Sequence, residues 1–179
     1  MTYIYYFNLK LAQIFMFYQV QSFPSNDLSD CIGASLMPSH DDYEKTCNKC
    51  QHQQKHSTAD LLDGSCLPDV LVIQINRVKW KNKLVKNRVK IDVPESLDMT
   101  KFCSDIQGKH ADYSLCGLIE HCGDSCESGH YIAYARRNNC WYCFDDRKVV
   151  SCDSVVMKDV KTHNSNVYSL FYCKQPAEG

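Results

Sequence analysis

Gly129-His130-Tyr131-Ile132-Ala133-Tyr134, followed after a short turn by Trp141-Tyr142-Cys143-Phe144-Asp145-Asp146, is the pair of segments whose reading decides the rest. Both alternate like strands, and Asn138-Asn139 between them suits a tight hairpin turn, because Asn tolerates positive φ. A two-residue turn there sets Arg137 against Cys140, Ile132 against Asp145 and Tyr131 against Asp146. His130 then shares a face with Ile132 and Asp145, while Asp146 is expected to point the other way. The diagonal pair His130 and Asp145 is expected roughly 7–8 Å apart at the backbone, within reach of the two side chains. A carboxylate so placed can fix an imidazole tautomer and stabilise the imidazolium. Taken alone, the pair fits a surface histidine near a surface aspartate at a hairpin end better than it fits a catalytic pair.

Working outward, 179 residues suffice for one domain, and the net charge of −1 gives no bulk pull toward nucleic acid or acidic membranes. Twelve cysteines are scattered irregularly through apolar runs. That pattern favours free thiols in a reducing compartment, cytoplasmic or nuclear, over the short, loop-rich disulfide framework of a secreted protein. Residues 3–20 are apolar and aromatic but are interrupted by Asn8, Lys10, Gln13 and Gln19. They lack a basic leader region and a cleavage site, so a membrane span is not expected.

Ser25-Asn26-Asp27 starts a helix whose apolar face is Leu28, Cys31, Ile32 and Leu36, ending before Pro38. Cys31 reads as a core residue, since Asp27 and Asp30 would raise rather than lower a thiol pKa. Cys47-x-x-Cys50 is one knuckle of a zinc site, but zinc wants four ligands, so it reads as a half-site. Val70–Ile75 is a buried strand. Arg77, Lys79, Lys81 and Lys83 read as one solvated strand face, and Val89–Val93 as another alternating strand. Residues 95–112 read as loop, Tyr113–Ile119 as a strong strand, Gly123–Gly129 as a flexible loop and Val149-Val150 as a short strand. Asp153–Lys161 holds a turn of helix, and Val167–Tyr172 is the last strand. From residue 67 onward the expectation is antiparallel sheet with little helix.

Several segments resemble the ubiquitin-specific proteases. They are Leu67–Arg77, Tyr113–Gly123, Ser128–Tyr134, Trp141–Asp146 with Val149, and Tyr168–Tyr172. Asp30-Cys31 and the pair Cys47 and Cys50 also match family positions. The matches keep the family's order across residues 25–173. The resemblance implies an α+β fold, mainly antiparallel sheet, forming the palm and fingers part of a papain-like domain over residues 25–174. Residues 1–24 stand before it as an apolar segment of unclear origin, with a tail at 175–179.

The implied activity is thiol-dependent hydrolysis of the bond after ubiquitin's C-terminal glycine, with ubiquitin and ubiquitinated proteins as partners. By the match His130 is the general base and Asp145 its orienting group. Asp146 and Gly129 support them, Gly129 by leaving bare backbone for a thin diglycine tail. Catalysis of this kind needs no cofactor, and Cys47 and Cys50 would be half of a structural zinc site. The family's cysteine-bearing segment, Asn-x-Gly-Asn-Thr-Cys, has no counterpart in residues 1–66, so the nucleophile is unknown. Arg77-Val78 stands where the family has Arg-Phe, and the loop before His130 is one residue longer. The expectation is the C-terminal part of a catalytic domain without its cysteine-bearing helical subdomain. A partial gene model, a truncated isoform and a cysteine-less relative that still binds ubiquitin as a scaffold all fit. A nucleic-acid binder using Cys47, Cys50 and the 77–90 basic run is the remaining alternative, but the segment matches weigh against it and no nucleic-acid partner is expected.

Overall fold

Three apolar runs with strand alternation, Val70–Ile75, Asp112–Cys122 and Val167–Lys174, lie side by side and form the middle of one sheet. The computed structural model describes residues 15–20, 23–36, 44–46, 51, 53–55, 62–64, 67–104, 111–162 and 164–176. In chain order its elements are β1 (Phe15–Val20), α1 (Leu28–Leu36), β2 (Glu44–Thr46), β3 (Gln53–Lys55), β4 (Leu62–Asp63), β5 (Val70–Ile75), β6 (Val78–Trp80) and β7 (Leu84–Lys86). There follow β8 (Ser96–Asp98), β9 (Cys103–Ser104), β10 (Asp112–Cys122), β11 (His130–Arg137), β12 (Cys140–Asp145), β13 (Lys148–Cys152), α2 (Ser154–Lys161) and β14 (Val167–Lys174).

The main sheet runs β1-β5-β14-β10-β11-β12-β13, with β8 also on β10. Every pairing in it is antiparallel except β1 on β5, which is parallel. The apolar segment before residue 25 thus contributes one edge strand to this sheet. One face carries the core: Leu71, Ile73, Leu115, Leu118, Leu170 and Tyr172 are buried there. Leu28, Cys31 and Ile32 of α1 and Met157 of α2 join the same cluster. Both helices start as local chemistry requires. Asp27 Oδ1 accepts from the Ser29 amide at 2.7 Å, and Asp153 Oδ1 accepts from the Val156 amide at 2.9 Å. Cys31 is core, and burial, followed by the nearby Asp27 and Asp30, pushes its thiol pKa up despite a bond to the Ser25 carbonyl.

Three expectations fail. Arg77 does not belong to a solvated face: it is 2% exposed. Its guanidinium donates to the carbonyls of Val167 (2.8 Å), Asn87 (3.3 Å), Asn164 (3.3 Å) and Val89. A planar fork of five donors can gather carbonyls from several strand ends, which a lysine cannot. Burial lowers its pKa to about 10. Lys81 and Lys83 lie in the tight turn of the β6-β7 hairpin, around Asn82 at φ 60°, rather than along one strand. Val89–Val93 is no sheet strand: isolated bridges, Ile91 to Asn164 and Asp92 to Asp27, hold it together with the Arg77 bond to the Val89 carbonyl and the Val93 amide bond to the Lys161 carbonyl. Within the stretch expected as loop, residues 95–104 contain β8, a 3-10 turn at Thr100–Phe102 and β9.

Candidate active site

The Asn138-Asn139 turn has φ values of 50° and 61°, the left-handed pair that a two-residue hairpin demands. It sets Arg137 against Cys140 and Ala133 against Phe144. That register brings the first residue of β11 and the last of β12 together. His130 Nε2 is hydrogen-bonded to Asp145 Oδ1, and the two side chains are 45% and 42% exposed. The bond to Asp145, followed by the charges of Asp145 and Asp146, raises the His130 pKa above its ordinary value. With Nε2 engaged, Nδ1 is the nitrogen left to exchange a proton with a reacting group.

Asp146 does not point away, as strict alternation would have it. It has φ 51° at the turn into β13, so the strand ends before it. One ligand-capable atom each of His130, Asp145 and Asp146 lies within 4.8 Å of the others. Among the described residues these three form a group with the donor set to hold a cation, yet an exposed acidic cluster is ordinary without one. Cys47 and Cys50 lie outside the described residues.

Gly129 has a steric reason to be glycine. A Cβ there would meet the Cys122 carbonyl oxygen at 2.7 Å and His121 Cδ2 at 2.9 Å, and would run into His121 Nε2. His121 is buried against Tyr131 (ring centroids 4.7 Å apart) and Tyr168 (6.5 Å). The loop into His130 is held from the side. Lys86 Nζ donates to the carbonyls of His121 (2.5 Å) and Gly123 (2.8 Å), and Arg88 pairs with Asp124. Burial, followed by the Arg88 charge, lowers the Lys86 pKa. Behind the site Asn164 Nδ2 donates to Glu120 Oε1 at 2.6 Å, while its Oδ1 accepts from the amides of Asn166 and Val167. Lys86, His121 and Asn164 were not singled out by the sequence; Lys86 was hidden within a basic run.

Cys122 is the cross-strand partner of His130, but burial and Glu120 push its thiol pKa up. No described thiol is hydrogen-bonded to His130.

The model of the family described as "Ubiquitin carboxyl-terminal hydrolase" matches residues 26–172. The chain belongs to this family. Mouse "Ubiquitin carboxyl-terminal hydrolase 17-like protein C" is 35% identical over 132 residues, which is 72% of this chain and 22% of that protein. "Ubiquitin carboxyl-terminal hydrolase 23" of Arabidopsis thaliana is 30% identical over 129 residues, 72% of this chain and 14% of that one. The chain therefore spans about a quarter or less of the length of these hydrolase relatives. Among solved structures, a chain of the SAGA Ubp8/Sgf11/Sus1/Sgf73 DUB module bound to ubiquitin aldehyde superposes with a TM-score of 0.73 at 24% identity. It covers 92% of this chain and 36% of its own, and shares the hydrolase fold.

Proposed function

We propose that this chain supplies the His/Asp half of a thiol hydrolase site that acts on the bond after the C-terminal glycine of ubiquitin. His130 is the general base and later the acid, exchanging a proton through Nδ1; Asp145 orients the ring through Nε2. Asp145 also favours the imidazolium, so it favours transfer of a thiol proton to His130 and the thiolate that attacks. Asp146 adds negative charge beside the same ring. Gly129 and the Lys86-held loop set where His130 begins. The observation that carries the reading is the His130–Asp145 contact at the open end of a hairpin, within the family-matched residues.

The chemistry requires no cofactor; Cys47 and Cys50 are proposed as half of a structural zinc site. Ubiquitin and its conjugates are the proposed partners. Among the described residues no helix is long and apolar enough to cross a membrane, and a cytoplasmic or nuclear setting fits the free thiols. A second reading, a ubiquitin-binding relative without turnover, is favoured by the lack of a described thiol bonded to His130.

A ubiquitin carrying a C-terminal electrophile tests both readings. The half-site account expects saturable ubiquitin binding by this chain and no covalent adduct. A His130-dependent adduct on one of its own cysteines would establish a complete enzyme. Absence of any ubiquitin binding at high micromolar concentration would remove both readings.

A further inference from the structure

At the end of the sheet away from His130, two thiols meet across β10 and β14. Cys173 Sγ donates to Cys116 Sγ at 2.7 Å, and Cys116 Sγ donates in turn to the Phe171 carbonyl at 3.3 Å. A covalent S–S bond is about 2.05 Å, so little movement separates this contact from a bond. The bulge explains the proximity. The register passes from Leu115 opposite Tyr172 to Gly117 opposite Phe171, leaving Cys116 as the extra residue. An unpaired bulge residue is re-aimed by the local kink, here toward the neighbouring strand's cysteine. Both residues are half-buried, so a small reagent can reach them.

We propose that Cys116 and Cys173 form an oxidisable dithiol, closed to a cross-strand disulfide by a small-molecule disulfide such as oxidised glutathione. Burial, followed by the contact with Cys173, pushes the Cys116 thiol up to about 12. Exchange with a disulfide is equivalent for either cysteine as the first to enter. With Cys173 first, it loses its proton and its sulfur attacks one glutathione sulfur. A mixed disulfide forms, and the expelled glutathione thiolate takes up that proton. Cys116 then attacks the Cys173 sulfur, breaking the mixed disulfide, and its proton passes to the second departing glutathione. Two protein thiols are oxidised and one disulfide is reduced to two thiols.

The bond staples the two central strands of the sheet. Cys116 lies six residues along β10 from Cys122, the partner of His130, a separation of roughly 20 Å. Closure therefore changes the stability of the sheet and leaves the His130–Asp145 pair as it is. This distinguishes the proposal from any regulation of the hydrolase site, and it stands whether or not that site is active.

The test equilibrates the full reduced chain in glutathione buffers of rising potential, traps free thiols by alkylation and maps the cross-linked peptides. Expected are a Cys116–Cys173 bridge, a mass lower by two hydrogens, and a melting midpoint raised by roughly 5–15 °C and restored by dithiothreitol. Cys173→Ser is expected to abolish both bridge and rise, whereas Cys140→Ser keeps them. Persistent glutathione adducts on either cysteine would overturn the proposal. So would a bridge mapping to the neighbouring Cys143 and Cys152, or a rise that survives Cys173→Ser. Because the map is read on the unsubstituted chain, poor folding of a variant does not remove the test.

Discussion

The raised pKa of His130 makes Asp145 measurable one residue at a time. Asp145→Asn removes the first cause of the shift, so the imidazole is expected to titrate at lower pH than in the unsubstituted chain, read by NMR of the ring protons. The sign carries into stability. A histidine whose pKa is higher folded than unfolded stabilises the fold below the unfolded value of about 6.5, and loses that contribution as pH rises through the folded value. The stability gap between the unsubstituted chain and Asp145→Asn should therefore narrow as pH rises through that window, by chemical denaturation at several pH values. A gap that widens with pH would mean the bond does not favour the charged ring. Gly129 gives a second residue-level expectation. Gly129→Ala drives a methyl into His121 and the Cys122 carbonyl, and should cost about 1–3 kcal/mol. His121→Ala in the same chain should recover only part of it, since the carbonyl stays where it is.

Among elements, the loop from Gly123 to Gly129 and the hairpin β6-β7 are joined through Lys86. Lys86→Met removes the donor to the His121 and Gly123 carbonyls. Faster amide exchange through residues 123–129 is expected, with β5 and β14 protection unchanged, because those strands hold one another. Asn164 joins the segment before β14 to Glu120 on β10. Asn164→Ala leaves the Glu120 carboxylate, 8% exposed, without that donor and should destabilise by about 2–4 kcal/mol in urea melts. Legibility followed the same divide. The hairpin was readable because Asn138-Asn139 and strict alternation specify a register from local residues alone. The α1 face and the runs in the middle of the sheet, Val70–Ile75, Tyr113–Ile119 and Val167–Tyr172, were readable from period and β-branching. Arg77 was misread because alternation within Arg77–Lys83 is a local pattern, while its burial is decided by carbonyls of residues 87, 89, 164 and 167. Asp146 was misplaced for a similar reason, since alternation ends where a residue takes φ 51°.

For the whole molecule, the sheet has one face covered by α1 and α2 and a second face on which Tyr131, Phe144 and Val149 are 54%, 40% and 55% exposed. Phe144 and Val149 are cross-strand partners there. Contiguous exposed apolar side chains drive association, so sedimentation of the chain should depend on concentration. Phe144→Ser combined with Val149→Ser should reduce that dependence and change the melting midpoint little. The same sheet presents His130 at the mouth of its hairpin, where an extended peptide tail could reach it between the Lys86-held loop and the β12 end. In the proposed function this tail is ubiquitin's and ends at His130. NMR of the histidine rings of the full chain, titrated with ubiquitin and with ubiquitin lacking its last two glycines, tests it most directly. A saturable shift of His130 with intact ubiquitin, largely lost with the shortened form, is the predicted result. An unmoved His130, or the same shift with both forms, would contradict the claim.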